Sequence, residues 1–342
     1  MRKYLYYIWL FSATLLVASC SKQEVSPDNG EKIAFYVKSQ QAVTASSRAL
    51  IEDTKYLLNN GKKLPLYVTD EVGGVFSNTE VEYVANGVWR SETEWQEGKQ
   101  YTFYAYIASP KASSAGSQGV YVSNKGYTVY MQQPKSYSDD PGVWSDYLMS
   151  YRVSANGSNK GLVKLDMERV TACVELYMAK SESMGEVTVK SISFNDVKTY
   201  AKLGLTKHAV PGDSEGLYGM KNTWTVEPDD NSVTDYTRNT VSSLLNYADN
   251  RFDENFLQMK LLVIPQSLID GPTLTIDYEV NENGNWVTYQ SEFKLSDYSI
   301  GSWDRGHKIR YYIGIDTSIK LEGVVEPWKS MDYIESTLLP KN

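Results

Sequence analysis

Few side chains in this sequence have the type and spacing to do chemistry. There are two histidines, His208 and His307, and two cysteines, Cys20 and Cys173. A zinc site needs three or four Cys, His or acidic ligands, usually at short set spacings, and no such cluster is present. No Gly-x-Ser-x-Gly turn offers an activated serine. Gly98-Lys99 lacks both the following Ser/Thr and the spaced preceding glycine of a phosphate loop. Asp229-Asp230-Asn231 with Asp235 presents hard oxygens suited to calcium, but at no known ligand spacing, and reads as a solvated acidic loop. Paired carboxylates for glycoside hydrolysis need be close only in space, so the sequence leaves that chemistry open. The expectation is a non-enzymatic chain with no catalytic residue, no metal and no cofactor.

What chemistry remains concerns processing of the chain. Arg2 and Lys3 precede an uncharged stretch, Tyr4 to Val17, which is shorter than the roughly 20 apolar residues that cross a bilayer. Val17-Ala18-Ser19-Cys20 then resembles a lipobox, in which the leader is cut before the cysteine and that cysteine carries lipid. The alternative, which the run fits less well, is an ordinary signal peptide that happens to contain Cys20. Acyl chains would hold the protein to a membrane, each buried methylene contributing about 0.8 kcal/mol. Cys173 is left without an intramolecular partner and lies in a strand-like run, as a buried inert thiol does. Further on, Gln40 to Ile51 is rich in small and polar residues around Arg48. Exposed stretches of that kind are where proteases cut, although a solvated arginine needs no such role.

The elements that must position these residues are strands. One pattern occurs twice. The first copy is Asn86-Gly87-Val88-Trp89, then Trp95-x-x-Gly98-x-x-Tyr101-x-Phe103. The second is Asn283-Gly284-Asn285-Trp286, then Trp303-x-x-Gly306-x-x-Ile309-x-Tyr311. Asn-Gly tolerates positive φ at both positions and closes a tight hairpin. The later glycine turns the chain into a strand whose inward face starts at Tyr101 or Ile309. The four tryptophans at matched strand starts are better explained by core packing than by stacking on sugars.

Alternating apolar residues predict strands at Ile33–Val37, Leu64–Thr69, Tyr101–Ile107, Tyr127–Met131, Val170–Met178, Leu257–Val263, Leu274–Val280 and Ile309–Ile315. Pro65 suggests an edge position for the second of these. The phase change from Val187 and Val189 to Ile192 and Phe194 suggests a bulge at Lys190-Ser191. Residues 109–119 and 204–235 read as loops. Val241, Leu244, Leu245 and Ala248 have the spacing of a short helix.

Composition is 42% hydrophobic and 22% charged, with 27 tyrosines, as suits half-exposed strand faces. The net charge of −8 without a basic patch excludes nucleic-acid binding as a main role. Many short strands with turn signals make this all-β, in two sandwiches. The expected division is a leader at 1–19, a polar tether at 20–30, an N-terminal sandwich at 31–158 and a C-terminal sandwich at 159–342 with a tail at 329–342.

The lipobox at Cys20, the loop Ser46-Ser47-Arg48-Ala49-Leu50, the strand Val170–Met178, Val263-Ile264-Pro265-Gln266, the second Trp-x-x-Gly unit and the closing Val324-Val325-Glu326-Pro327-Trp328 together resemble the fimbrillin family of Bacteroidetes surface pilins. The resemblance runs through nearly the whole mature chain and is strongest over 257–328. It implies two tandem transthyretin-like Greek-key β-sandwiches and export as a lipoprotein to the outer membrane. It also implies cleavage between Arg48 and Ala49 by an arginine-specific protease, which removes the first strand, residues 32–38. A strand from another pilin subunit's C-terminal segment then fills the gap; here that segment is Met331, Tyr333, Ile334, Leu338 and Leu339. The tail is short for a stalk subunit, so a tip or anchor subunit stays open. The adhesion receptor is not implied. A reading of another class is a monomeric surface lipoprotein that binds glycans.

Overall fold

The structure, a computed structural model, describes residues 32–39, 64–70, 75–85, 88–108, 120–123, 126–139, 144, 147–150, 153–209, 220–246, 254–316 and 319–327. Among these residues there are strands and short 3-10 turns and no α-helix, so the all-β expectation holds. Cys20, Arg48, Ala49, the Asn86-Gly87 turn and the tail residues Met331, Tyr333, Ile334, Leu338 and Leu339 lie outside the described residues.

The N-terminal strands are β1 (Lys32–Ser39), β2 (Leu64–Asp70), β3 (Val75–Ala85), β4 (Val88–Glu94), β5 (Gln100–Ala108), β6 (Val120–Ser123), β7 (Gly126–Gln132), β8 (Tyr147–Ser150), β9 (Val153–Asn156) and β10 (Val163–Arg169). Eight of them hydrogen-bond in the order β2-β3-β4-β1-β10-β8-β5-β9, and β2 also pairs with β5. The ladder therefore returns on itself through β2-β3-β4-β1-β10-β8-β5. Closure leaves those strands no free edge to template aggregation. The edge position expected for β2 is thus wrong. Pro65, which cannot donate, sits opposite Glu80 of β3, ahead of the β5 pairing that starts at Leu66 and Ala105, so its missing N–H costs that ladder nothing.

The second half supplies β11 (Ala172–Lys180), β12 (Val187–Lys198), β13 (Tyr200–Ala209), β14 (Met220–Pro228), β15 (Val233–Ser243), β16 (Leu257–Val263), β17 (Gln266–Ser267), β18 (Thr273–Glu282), β19 (Asn285–Lys294), β20 (Ser302–Trp303), β21 (His307–Ile315) and β22 (Ile319–Pro327). Two four-stranded sheets, β16-β11-β21-β22 and β15-β12-β18-β19, face each other. Between them lie Val174, Leu176, Ile309, Tyr311 and Ile313 from one sheet and Val189, Ile192, Phe194, Leu274 and Ile276 from the other, all wholly buried. β12 and its neighbours shift register between Val189 and Ser191, the bulge implied by the phase change.

Two expectations fail in this half. The described residues of this stretch, 204–209 and 220–235, are largely strand, because β13 pairs with β14 and with β7, the latter from Tyr200–Gln132 to Thr206–Gly126. The result is a third sheet, β14-β13-β7-β6, built from one hairpin of each half. The helical spacing at Val241 and Leu244 also misleads. β15 stays paired to β12 as far as Ser243 opposite Thr188, and the ladder outweighs a short local apolar period. Leu244 is buried just beyond the strand's end, and Ala248 lies outside the described residues.

The two halves are joined by more than that sheet. Residues 133–139 and 144 belong to the first half by sequence, yet Trp144 is wholly buried in the core of the second. It meets Tyr236 ring to ring at 5.0 Å and donates from Nε1 to the Ser138 carbonyl at 3.0 Å. Tyr236 donates to the Pro134 carbonyl at 2.7 Å, and Thr234 to that of Lys135 at the same distance.

Candidate functional site

The residues that could act are few, so the candidate site is a strand. Lys-Ile-Ala-Phe-Tyr-Val is rich in apolar, β-branched and aromatic residues, which suit a strand buried on both faces. In the folded chain this strand, β1, lies between two others. It pairs antiparallel with β4 from Lys32–Glu94 to Tyr36–Val88, and parallel with β10 from Phe35–Val163 to Ser39–Met167. Ile33, Ala34 and Phe35 are 0%, 5% and 0% exposed. Phe35 meets Phe103 edge-on at 5.1 Å. Phe103 in turn stacks on Tyr101 at 5.8 Å and receives Trp95 edge-on at 6.0 Å. Val163 and Leu165 close the pocket from β10. Polar contacts add little: Ser91 donates from its hydroxyl to the Ile33 carbonyl at 3.2 Å, and Lys32 forms an exposed ion pair with Glu92 at 2.7 Å. β1 is therefore held by its two ladders and by two large apolar side chains. Without it, β4 and β10 would each present unpaired backbone along an apolar slot lined by Phe103, Trp89 and Leu165.

The turn that leads into β5 belongs to the repeated pattern, and the two copies share a backbone. Gly98 has φ +74° and Gly306 φ +65° at the same place in the motif, and Tyr101 and Ile309 begin buried faces as expected. Asn283 and Gly284 have φ 55° and 90°, the pair of positive values a tight Asn-Gly hairpin requires. Trp89, Trp95 and Trp303 are buried, at 1%, 8% and 0%. Trp286 is not. It is 47% exposed, because it lies on the outward face of β19 opposite Asn281, where no second sheet packs. The core-packing expectation is wrong for that residue.

The candidate chemical residues are dispersed. Cys173 is wholly buried, and burial pushes its thiol up to about 12, so no thiolate forms near neutrality. His307 Nδ1 lies 2.9 Å from the Arg305 carbonyl. The Asp229 carboxylate accepts from the Asn231 backbone N–H at 3.0 Å and the Ser232 hydroxyl at 3.0 Å, which uses it to shape its own turn. Among the described residues no three His, Cys, Asp or Glu side chains gather as metal ligands.

Sequence reading missed a charged cluster around Glu175, on the outer face of β11. Its carboxylate lies 3.2 Å from Lys260, 3.5 Å from Lys308 and 3.1 Å from Arg310 Nε, and accepts from the Tyr177 hydroxyl at 3.0 Å. Arg310 also reaches Glu326 at 2.9 Å. The cluster ties all four strands of its sheet together. Burial alone would raise the Glu175 pKa, but the cations of Lys260 and Lys308 and the hydrogen bonds from Arg310 and Lys260 outweigh it, and the net shift is downward. The only signal in the sequence was a glutamate inside the strand Val170–Met178; its partners come from residues far along the chain.

A family model described as Fimbrillin-like matches residues 28–328, a span that contains all 22 strands of the described residues. The chain belongs to the Fimbrillin-like family. No curated protein matches the sequence. Solved structures similar to this fimbrillin-like chain include a candidate cell adhesion protein of Bacteroides uniformis, at 11% identity and TM-score 0.46, covering 87% of this chain and 99% of that one. A candidate cell adhesion protein of Bacteroides ovatus has 11% identity and TM-score 0.42, covering 87% and 96%. A fimbrial assembly protein of Parabacteroides distasonis has 11% identity and TM-score 0.39, covering 86% and 95%.

Proposed function

We propose that this fimbrillin-like chain is a non-enzymatic structural subunit of a surface pilus that serves adhesion, exported as a lipoprotein and polymerised after proteolysis. Membership of the Fimbrillin-like family supports the adhesion and pilus role. The observation that carries the mechanism is the position of β1 inside the ring, between β4 and β10. Lipid on Cys20 holds the precursor at the outer membrane. Cleavage between Arg48 and Ala49, in the connection from β1 to β2, detaches residues 20–48 with both the anchor and β1. The emptied slot has backbone N–H and C=O groups free on both sides and room for alternate apolar side chains, the requirements of strand addition. A segment from a second subunit, with Met331, Tyr333, Ile334, Leu338 and Leu339 as its apolar residues, supplies the strand. The outgoing β1 costs apolar burial that the incoming strand restores, so exchange is close to neutral in burial while the cleaved strand's departure gives direction.

The test is the N-terminus of protein sheared from cells. Ala49 is expected, together with a ladder of oligomers resistant to SDS. An Arg48→Ala chain that still yields that ladder would rule out cleavage as the trigger.

A further inference from the structure

We propose that the outer face of the β15-β12-β18-β19 sheet binds neutral glycans, with Trp286 as the stacking platform. This face carries the side chains that alternate with the buried core row. Among the described residues they are mostly serine, threonine, asparagine, glutamine and charged groups, with Val233 and one aromatic ring, that of Trp286, exposed among them. In the first copy of the repeated motif the matching Trp89 is core, at 1% exposed; in the second the ring stands on the surface at 47%. Packing therefore gives Trp286 no role.

Along β19 from Trp286 the next outward residues on the same face are Thr288 and Gln290. The Gln290 amide donates to Asp277 Oδ1 at 2.8 Å, and the Ser191 hydroxyl donates to Asp277 Oδ2 at 2.6 Å. Asp277 is thus fixed in orientation from both sides with acceptor capacity left over, and Gln290 keeps a free carbonyl oxygen and a second N–H. Beside them Lys190 and Glu279 form an ion pair at 2.8 Å. Four residues of strand separate Trp286 from Gln290, about 14 Å, the length of a short oligosaccharide. The pairing of a flat ring, which covers the C–H face of a pyranose, with oriented carboxylate and amide groups, which bridge vicinal hydroxyls, is the chemistry of sugar recognition. Because the polar groups are already held, binding orders little that was free.

Other ligand classes fit worse. A protein partner would need a cluster of apolar anchors, and this face has one ring. The acidic side chains here and the chain's net charge of −8 repel nucleic acid and anionic glycans, which leaves uncharged sugars. The proposal stands apart from polymerisation, since it uses neither β1 nor the C-terminal tail.

Calorimetric titration of the full chain with cellohexaose, maltohexaose and mannohexaose tests it, with polygalacturonate as the anionic arm. Saturable binding of at least one hexaose is expected, lost at least tenfold in Trp286→Ala, largely kept in Trp286→Phe, and weakened in Asp277→Asn. No binding to polygalacturonate is expected. Circular dichroism should be unchanged in Trp286→Ala because the ring is exposed. Absence of binding to all three hexaoses at millimolar concentration would overturn the proposal, as would equal affinity in Trp286→Ala. Binding confined to polygalacturonate would overturn it too.

Discussion

Phe35→Ala separates the precursor from the assembled form more sharply than any other single change. Phe35 is wholly buried and meets Phe103 edge-on at 5.1 Å. Truncating a buried phenylalanine costs about 3–5 kcal/mol, from lost transfer energy and the cavity left behind. With the two halves unfolding together as a unit of about 300 residues, that lowers the melting temperature by roughly 5–8 °C. The precursor, with β1 in place, should show the whole of this loss by thermal circular dichroism. The polymer should show none, because β1 has left with residues 20–48 and the slot holds a strand from another subunit. Leu165→Ala is the control: Leu165 is wholly buried on β10, which stays in both forms, so about 2–5 kcal/mol should be lost from precursor and polymer alike. The readout for the polymer is the temperature at which its SDS-resistant ladder collapses. If Phe35→Ala polymers collapse at a lower temperature than wild type, β1 is still inside them and strand exchange is refuted.

Trp144→Ala should cost about 3–5 kcal/mol in the second half although the residue belongs by sequence to the first, and calorimetry of the wild-type chain should show one main transition, since β7 with β13 and Trp144 with Tyr236 join the halves. Glu175→Gln should destabilise by about 3–5 kcal/mol, because it removes the buried carboxylate that faces Lys260 and Lys308 and one of the two carboxylates that Arg310 reaches; urea unfolding at neutral pH reads this. The same group predicts acid sensitivity. The fold holds the Glu175 pKa below its ordinary value of 4.5, so its contribution is complete above about pH 4.5 and is lost as pH falls through the lowered value; the Gln variant should lack that limb of the pH–stability curve. Gly157→Ala should fold poorly and give little soluble protein, because an added Cβ would stand 1.9 Å from the Gln96 carbonyl oxygen.

Strand alternation made much of the fold legible. The apolar rows at Ile33–Phe35, Val174–Met178, Leu274–Val280 and Ile309–Ile313 all face cores, and the Val189–Ile192 phase change marked a real bulge. Both motif glycines sit at turns into a strand, as their position in Trp-x-x-Gly suggested, and both do so at positive φ. What stayed hidden was long-range pairing. The β13–β14 hairpin carries only a short buried row, Ala201 and Leu203, and nothing in that row says that β7 is its partner in a sheet. β2 looked like an edge because of Pro65, and only the closing β2–β5 ladder shows otherwise. The helical period at Val241–Leu245 was too short to compete with an eleven-residue strand. Trp286 and Trp89 occupy the same motif position, and only the stacking of sheets decides which is buried. The position of β1 between β4 and β10 is likewise a fact of topology: alternation identifies a strand, not its neighbours.

The central claim is that β1 is removable and is removed. Edman or mass-spectrometric sequencing of the N-terminus of SDS-resistant material sheared from the cell surface tests it most directly. The account predicts a start at Ala49 and no peptide from residues 32–38 in that material. A start at Cys20, with β1 retained, would contradict it.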